Sequence, residues 1–526
     1  MSGPSMQSDV AARDDAHLRS LGIKPELRRS LGFLSNFAVA FSYISVSTGT
    51  YTLIALGLGV GGPAFFWSWP IVILGQTFVA LNFAELASHF PVAGSIYQWS
   101  KRLSNKTLGW FTGWFYFWAG VVTVTAVAGT VPLVMSSIFG FDLGDPSPVP
   151  GVNNLIFWAI ITLISTTIIN AFGVRLLAII NNIGVGAEIL GMAVFAIILL
   201  IVGRHQDFSV LTQTAGVETP ETGGYLPVFA IAMFMSLFVV YGFDTAGTFG
   251  EETLDASRQA PRGILSAIWA SGVIGAIFLL AIILATPDLE ASKTDTAPIA
   301  TAIVSGLGET WGNVYLYVIL VAVYVCTLAI QGATTRLMFS MGRDRRMPLG
   351  RLWGAVNHTF KTPANAALAV GVLAAIPFFL TDSPGLLATG ATGLIYLSYF
   401  MANIGVLAAR RRGWPHKGAW FNLGSWGTII NVLALIYGGV MVINFGLWKS
   451  SLFGNFGSDL RDLTNPSLNI ITSGGNAISW LPDIPFFEAT VGLILIAGAV
   501  YYLATRQGRK VDQVEADLAT GEAVIA

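Results

Sequence analysis

Charge is what this sequence has least of. Only 11% of its 526 residues are Asp, Glu, Lys or Arg, against about 25% in soluble domains. A water-facing surface cannot be built from so little charge. The chain has one cysteine, Cys326, which excludes an internal disulfide framework and any site of several cysteines around a metal. Its five histidines show no metal-ligand spacing. No G-x-x-x-x-G-K-[ST] phosphate loop occurs, so no nucleotide-driven pump is indicated. The net charge of −1 argues against nucleic acid as a partner. The short alternating segments of a membrane β-barrel are absent as well.

What is present is apolar. The chain is 54% hydrophobic, with a mean hydropathy of +0.67. Runs of about 20 apolar residues recur, the length needed to cross a bilayer as a helix. The pattern predicts an all-α polytopic membrane protein with twelve spans. They lie near 33–60, 64–88, 108–138, 153–173, 176–203, 227–256, 263–287, 311–341, 364–381, 385–409, 426–447 and 486–505. The stretch "TDSPG" (381–385) supplies the turn between spans nine and ten. Residues 1–30 are polar and lack an apolar core, which predicts a cytoplasmic tail rather than a signal peptide. With that tail inside, 24 of the 28 Lys and Arg fall on the inner side. The outer side keeps Arg204, Lys293, Lys449 and Arg461. The positive-inside rule therefore predicts both termini in the cytoplasm.

Two spans carry an unusual centre. Span one contains "FSYISVSTGTY" (41–51), and span six contains "YGFDTAG" (241–247). Both clusters of small, hydroxyl and glycine residues fall near mid-bilayer. Unpaired backbone in lipid costs several kcal/mol per group and survives only where it lines a cavity or binds something. Glycine also serves close helix packing, but packing alone does not predict two breaks five spans apart. Matched interruptions in two halves of a chain point to a transport site. Half-helix N-termini offer N–H groups and a positive dipole end to a carboxylate. Carbonyls and hydroxyls can receive an ammonium.

These segments carry a family resemblance. "NFAELASHFPVAGSIYQWSKR" (82–102), "GFDTAGTFGEETLDASRQAPRGI" (242–264) and "RLMFSMGRDRRMPLGRLWG" with "KTPANAAL" (336–368) are similar, in order, to signatures of the amino acid–polyamine–organocation superfamily. The wording of spans two and six is closest to its amino acid/choline transporter branch. Two departures are Gly94-Ser95 and Arg343-Asp344-Arg345, both outside the expected substrate site. The resemblance spans about residues 31–410. It implies a five-plus-five inverted-repeat fold (LeuT-type), with repeats near 31–204 and 225–410 and discontinuous helices 1 and 6. Residues 411–505 would add helices 11 and 12, and 506–526 a cytoplasmic tail. It also implies a substrate between spans one and six, bound by Ser45, Val46, Ser47, Thr48, Gly49, Tyr241, Gly242, Phe243, Asp244 and Thr245.

Ionisable residues inside the membrane are functional candidates by default. Asp244 lies in the span-six break, and the favoured reading is a brace for the unwound backbone. Glu188 falls near the middle of span five with no Lys or Arg within a turn. Desolvation at that depth disfavours its charged form, so it is the expected carrier of a coupling proton. Relatives with a lysine at this place would let it stand in for a sodium ion, which leaves cation holding and substrate contact as alternatives for Glu188. Glu251 is a candidate gate residue; Glu252 reads as a solvated acid at a helix end, and the same reading is open for Glu85 and Glu251. Arg336 reads as a snorkelling arginine. In "GWFTGWFYFWAG" (109–120), Trp110 and Phe111 read as an interfacial belt, while Phe117 and Trp118 stay open. Phe238, one turn before Tyr241, is a candidate lid.

The function expected from all this is secondary active transport of an amino acid or amino-acid-derived amine across the plasma membrane by alternating access. The expected coupling ion is H+ rather than Na+, with no cofactor. The partners are the small-molecule substrate and the lipid bilayer; the oligomeric state is open. γ-Aminobutyrate, choline, a polyamine and amino acid exchange remain alternatives. A nutrient sensor of the same fold would use a long signalling segment, which tails of residues 1–30 and 506–526 do not provide. No catalytic constellation stands out, so an enzyme is not expected.

Overall fold

The structure is a computed structural model and describes residues 4–218, 224–293, 295, 297–415, 419–447, 469–471 and 484–507. Lys417, Lys449, Arg461, Arg509 and Lys510 of the charge count, and the tail from 508 onward, lie outside the described residues.

Among the described residues the chain is nearly all helical. Nine helices are long and apolar enough to cross a membrane, and three shorter apolar helices, Tyr225–Val239, Ala364–Phe379 and Thr490–Ala504, complete a set of twelve. Each expected span corresponds to one of them. In chain order, α1 is Pro4–Ser20, α2 Phe33–Ile44, α3 Val46–Gly61, α4 Ser68–His89, α5 Ser95–Leu103, α6 Lys106–Phe139 and α7 Asn154–Phe172. Span five is α8 (Val174–Ala187), a π turn over Glu188–Met192, and α9 (Ala193–Val202). Span six is α10 (Tyr225–Ala232), α11 (Phe234–Val239) and, beyond a break, the single turn α12 (Thr245–Thr248). Then come α13 (Ala256–Ala285), α14 (Pro298–Arg343), α15 (Gly350–Trp353), α16 (Ala364–Ala375), α17 (Pro384–Arg410), α18 (Gly427–Leu447) and α19 (Phe486–Ala504). A short antiparallel ladder pairs Asn469–Ile471 with Ile484–Pro485.

The expected turn at 381–385 is present. Ser383 caps α17, its Oγ accepting from the Leu386 N–H at 3.3 Å, with Pro384 in the first turn. Three elements differ from the sequence pattern. Span seven begins at Ala256, earlier than 263, because Asp255 adopts a left-handed conformation (φ 51°) and turns the chain directly into α13. Span eight is preceded by a further helical stretch, set off at Gly308 (φ 75°, ψ 166°). The expected N-terminal tail contains a docked helix: α1 buries Leu18, which packs with Ile23 and Val92.

The core lies where α6 packs on α14 and α17, and where α13 packs on α2 and α4. This places spans one and six inside the bundle, with every residue from Asn36 to Thr50 buried. At the end of the bundle carrying α1, the two inner spans are joined by main chain. The N–H groups of Ser30 and Leu31 donate to Glu252 O at 2.9 and 3.0 Å, and Leu254 N–H donates to Leu31 O at 2.9 Å.

Candidate functional site

Both inner helices break where the glycine and hydroxyl clusters predict. Span one is interrupted at Ser45, whose φ of 29° and ψ of 90° are not helical. Span six is interrupted from Val240 (φ −94°, ψ 65°) through Gly242 (φ +86°). The breaks face each other. A Cβ on Gly49 would lie 2.6 Å from Val239 Cγ2 and 3.3 Å from Phe238 Cδ1, so α3 and α11 touch through a glycine. Phe238 also meets Tyr241 edge-on, with ring centroids 5.8 Å apart.

The hydroxyls at the head of α3 converge on one acid. Ser45 Oγ and Ser47 Oγ donate to Glu188 Oε1 at 2.9 and 3.2 Å, and Ser45 Oγ also meets Thr48 Oγ1 at 2.7 Å. Val46, between them, is buried. Glu188 is 2% exposed, and it opens the π turn of span five. A π turn widens a helix locally and commonly marks a functional position. So the structure brings the expected coupling residue against the expected substrate residues of span one.

Asp244 is held differently. Its carboxylate accepts from Tyr399 Oη at 2.5 Å, Tyr116 Oη at 2.7 Å and Ser95 Oγ at 2.8 Å. Tyr399 Oη in turn accepts the Gly242 N–H at 2.9 Å. One buried acid thus ties the span-six break to α5, α6 and α17, as a brace would. Thr245 Oγ1 is buried with no hydrogen-bond partner. Tyr241 Oη reaches Thr123 Oγ1 at 3.4 Å. The Phe243 ring turns toward Phe83 and Tyr399, at 6.1 and 5.6 Å.

Residue types alone did not point to Tyr43, Tyr116, Tyr399 and Cys326 as site residues. The Tyr43 ring fills the space beside Gly242 and meets Tyr241 at 6.1 Å. The Cys326 thiol donates to Tyr43 O at 3.5 Å. A signal existed for the tyrosines: a phenol in the middle of an apolar run must find a partner when buried.

Several acids and aromatics correct the sequence reading. Glu85, Glu251 and Glu252 are buried rather than solvated, each meeting an arginine from a distant span. Glu252 receives Arg336 Nε at 2.8 Å and Nη2 at 3.2 Å, both side chains being 1% exposed or less. Arg336 therefore does not snorkel; it also lies 4.3 Å from the centroid of Phe249. Glu251 receives both terminal nitrogens of Arg343, at 2.9 and 3.0 Å, and the Ala93 N–H at 2.9 Å. Glu85 pairs with Arg410. Fork-to-carboxylate geometry offsets the desolvation that would otherwise keep such groups in water. Trp110 is not a belt residue. It is buried, stacks on Trp114 at 5.2 Å, and donates its indole N–H to Arg346 O at 2.9 Å. Phe117 is buried too, whereas Trp118 is half-buried. No group of three or more His, Cys, Asp or Glu fit to hold a metal occurs among the described residues.

Asp344, just past α14, joins the same end of the bundle. It receives Lys101 Nζ at 2.6 Å, Tyr97 Oη at 2.9 Å and Gln98 Nε2 at 2.9 Å. Burial pushes its carboxyl up, but Lys101 and Arg343 outweigh burial and hold it below the usual 3.8. A depressed carboxyl adds stability in full above its ordinary pKa, and that stability is lost as pH falls through the folded value. Wild type should therefore unfold at a higher temperature than Asp344→Asn at neutral pH, and the gap should close below about pH 4. Thermal unfolding in detergent across pH checks this.

Among the described residues, twelve apolar helices, two of them broken opposite each other around buried polar groups, make the arrangement of a membrane transporter. The profile of the family described as "Amino acid permease" matches residues 31–470. The chain belongs to the amino acid permease family. It is 30% identical to an amino-acid permease BAT1 homolog of Oryza sativa subsp. japonica, over 82% of this chain and 87% of that one. It is 27% identical to amino-acid permease BAT1 of Arabidopsis thaliana, over 84% and 90%. A choline transporter of Saccharomyces cerevisiae is 25% identical over 82% of each. Among solved structures, that of MhsT in complex with L-phenylalanine superposes with a TM-score of 0.57 at 14% identity, covering 81% of this chain and 99% of that one. The shared architecture is the five-plus-five inverted repeat with discontinuous first and sixth helices.

Proposed function

We propose that this chain is a proton-coupled secondary transporter of an amino acid or a close amine derivative, working by alternating access. The substrate sits between the breaks of spans one and six, against Ser45–Gly49 and Tyr241–Thr245. Phe238 closes one side of that space. The Glu251–Arg343 pair belongs to the opposite gate, which must part when the site opens toward α1. From the excess of Lys and Arg at that end, it faces the cytoplasm, and the membrane is the plasma membrane.

The observation that carries the reading is the meeting of Glu188 with Ser45 and Ser47 at the broken helix, 2.9 and 3.2 Å away. A buried acid without a cation partner is costly in its charged form. Placed against the substrate residues, it gives a proton differential affinity for the two access states, which is what drives accumulation.

The test is uptake into proteoliposomes. Radiolabelled alanine, γ-aminobutyrate, choline and putrescine are each offered with and without an inward proton gradient, for wild type and Glu188→Gln. One substrate should accumulate, at least several-fold more with the gradient, and the variant should lose the gradient dependence. Uptake indifferent to the gradient in both proteins would remove proton coupling through Glu188.

A further inference from the structure

The head of α3 is where a transported carboxylate would find free N–H groups and the positive end of a half-helix dipole. In this structure a carboxylate is already there, and it belongs to the protein. Glu188 Oε1 takes the Ser45 and Ser47 hydroxyls at 2.9 and 3.2 Å. We infer that Glu188 is an internal stand-in for the substrate carboxylate, so that a carboxylate-bearing substrate binds only as Glu188 takes up a proton.

The inference rests on the transporter reading above and adds to it the substrate class and the sign of the coupling. Two like charges cannot share one half-helix terminus at low dielectric. While Glu188 is ionised it holds the donors and repels a second carboxylate. Once neutral, it needs fewer acceptor contacts, and the serine hydroxyls and α3 N–H groups turn to the substrate. No charge on a neighbouring element substitutes for this exchange. Among the described residues, the Cys326 thiol of α14 lies near Glu188 and donates to Tyr43 O at 3.5 Å, and the Tyr43 phenol of α2 neighbours that thiol. Among the described residues, α2, α3, α8, α9, α13 and α14 bring no Lys, Arg, His, Asp or Glu into an ion pair with it. The exchange is balanced: one proton enters from water, one carboxylate leaves the α3 head and one carboxylate arrives.

A cationic substrate without a carboxylate would behave oppositely. It would be attracted by ionised Glu188 and weakened by its protonation. The sign of the pH dependence of binding therefore separates the two classes.

The experiment is calorimetric titration of the full chain in nanodiscs with alanine, γ-aminobutyrate, choline and putrescine, in buffers of different ionisation enthalpy. Alanine or γ-aminobutyrate should bind with uptake of close to one proton. Its affinity should fall up to tenfold per pH unit above the transition. Glu188→Gln should bind it with no proton uptake and no pH dependence, and Ser47→Ala should move the midpoint of the dependence without abolishing it. A carboxylate-bearing probe that binds wild type without proton uptake overturns the inference and leaves the transporter reading standing. So does proton uptake that persists in Glu188→Gln, a midpoint unmoved in Ser47→Ala, or binding of choline or putrescine alone. Failure of all four probes to bind at any pH removes the substrate reading, and this inference with it.

Discussion

Gly242→Ala is expected to reduce uptake to background and to lower the yield of folded protein. Two costs coincide at this position. Its φ of +86° lies in the left-handed region, where a side chain costs about 1–3 kcal/mol. A Cβ there would also sit 1.9 Å from Tyr43 Cδ1 and 2.3 Å from Cε1, and overpacking of this kind costs about 1–3 kcal/mol more. The neighbour is an aromatic ring wedged in the broken helix, so it cannot swing clear without opening the site. Moving the chain at 242 also pulls its N–H off Tyr399, whose hydroxyl holds Asp244. Gly49→Ala provides the comparison. Its contacts would be Val239 Cγ2 at 2.6 Å and Val239 Cα at 3.2 Å, a milder clash than at 242, and its backbone is helical. That variant should fold and lose uptake only several-fold. Size-exclusion profiles and initial uptake rates of the two variants measure the difference. Tyr43→Ala added to Gly242→Ala should recover folded yield without recovering transport.

Arg336→Met is expected to be strongly destabilising. Arg336 and Glu252 are 0% and 1% exposed at the side chain. Removing one partner strands the other in a dry interior, at about 3–5 kcal/mol. Replacing both partners with well-packed hydrophobic residues of similar volume is often neutral. Glu252→Met with Arg336→Met should therefore regain most of the melting temperature lost by Arg336→Met alone. A double-mutant cycle in detergent reads the coupling. If both variants melt alike, the pair carries no such penalty.

Much of this architecture can be read from residue order. Helix spans follow from apolar length, and both breaks follow from glycine and hydroxyl clusters that lipid would not otherwise tolerate. Glu188 and Asp244 were visible because a lone acid in an apolar run demands a reason. What such runs hide is the partner. Glu85 meets Arg410 across 325 residues, and nothing local to either residue distinguishes a buried pair from two solvated ends. Trp110 was misplaced for the same reason: a tryptophan at a helix end suits lipid headgroups, and only the arrival of Tyr501 and Tyr502 from α19 makes that position interior. The docking of α1 and the helical stretch before Gly308 are not legible in residue order, because α1 is polar and the stretch 298–307 is too short to stand apart from a loop until a packing surface is supplied.

The π turn at Glu188–Met192 has a consequence for counting. Such a turn is equivalent to one residue inserted into an α-helix. Each residue advances an α-helix by about 100°, and the wide turn absorbs that advance, so α8 and α9 keep the faces they would have in a regular helix one residue shorter. Deleting Leu190 would let the ladder close as such a helix with both faces kept, but the widened turn that opens at Glu188 would be gone.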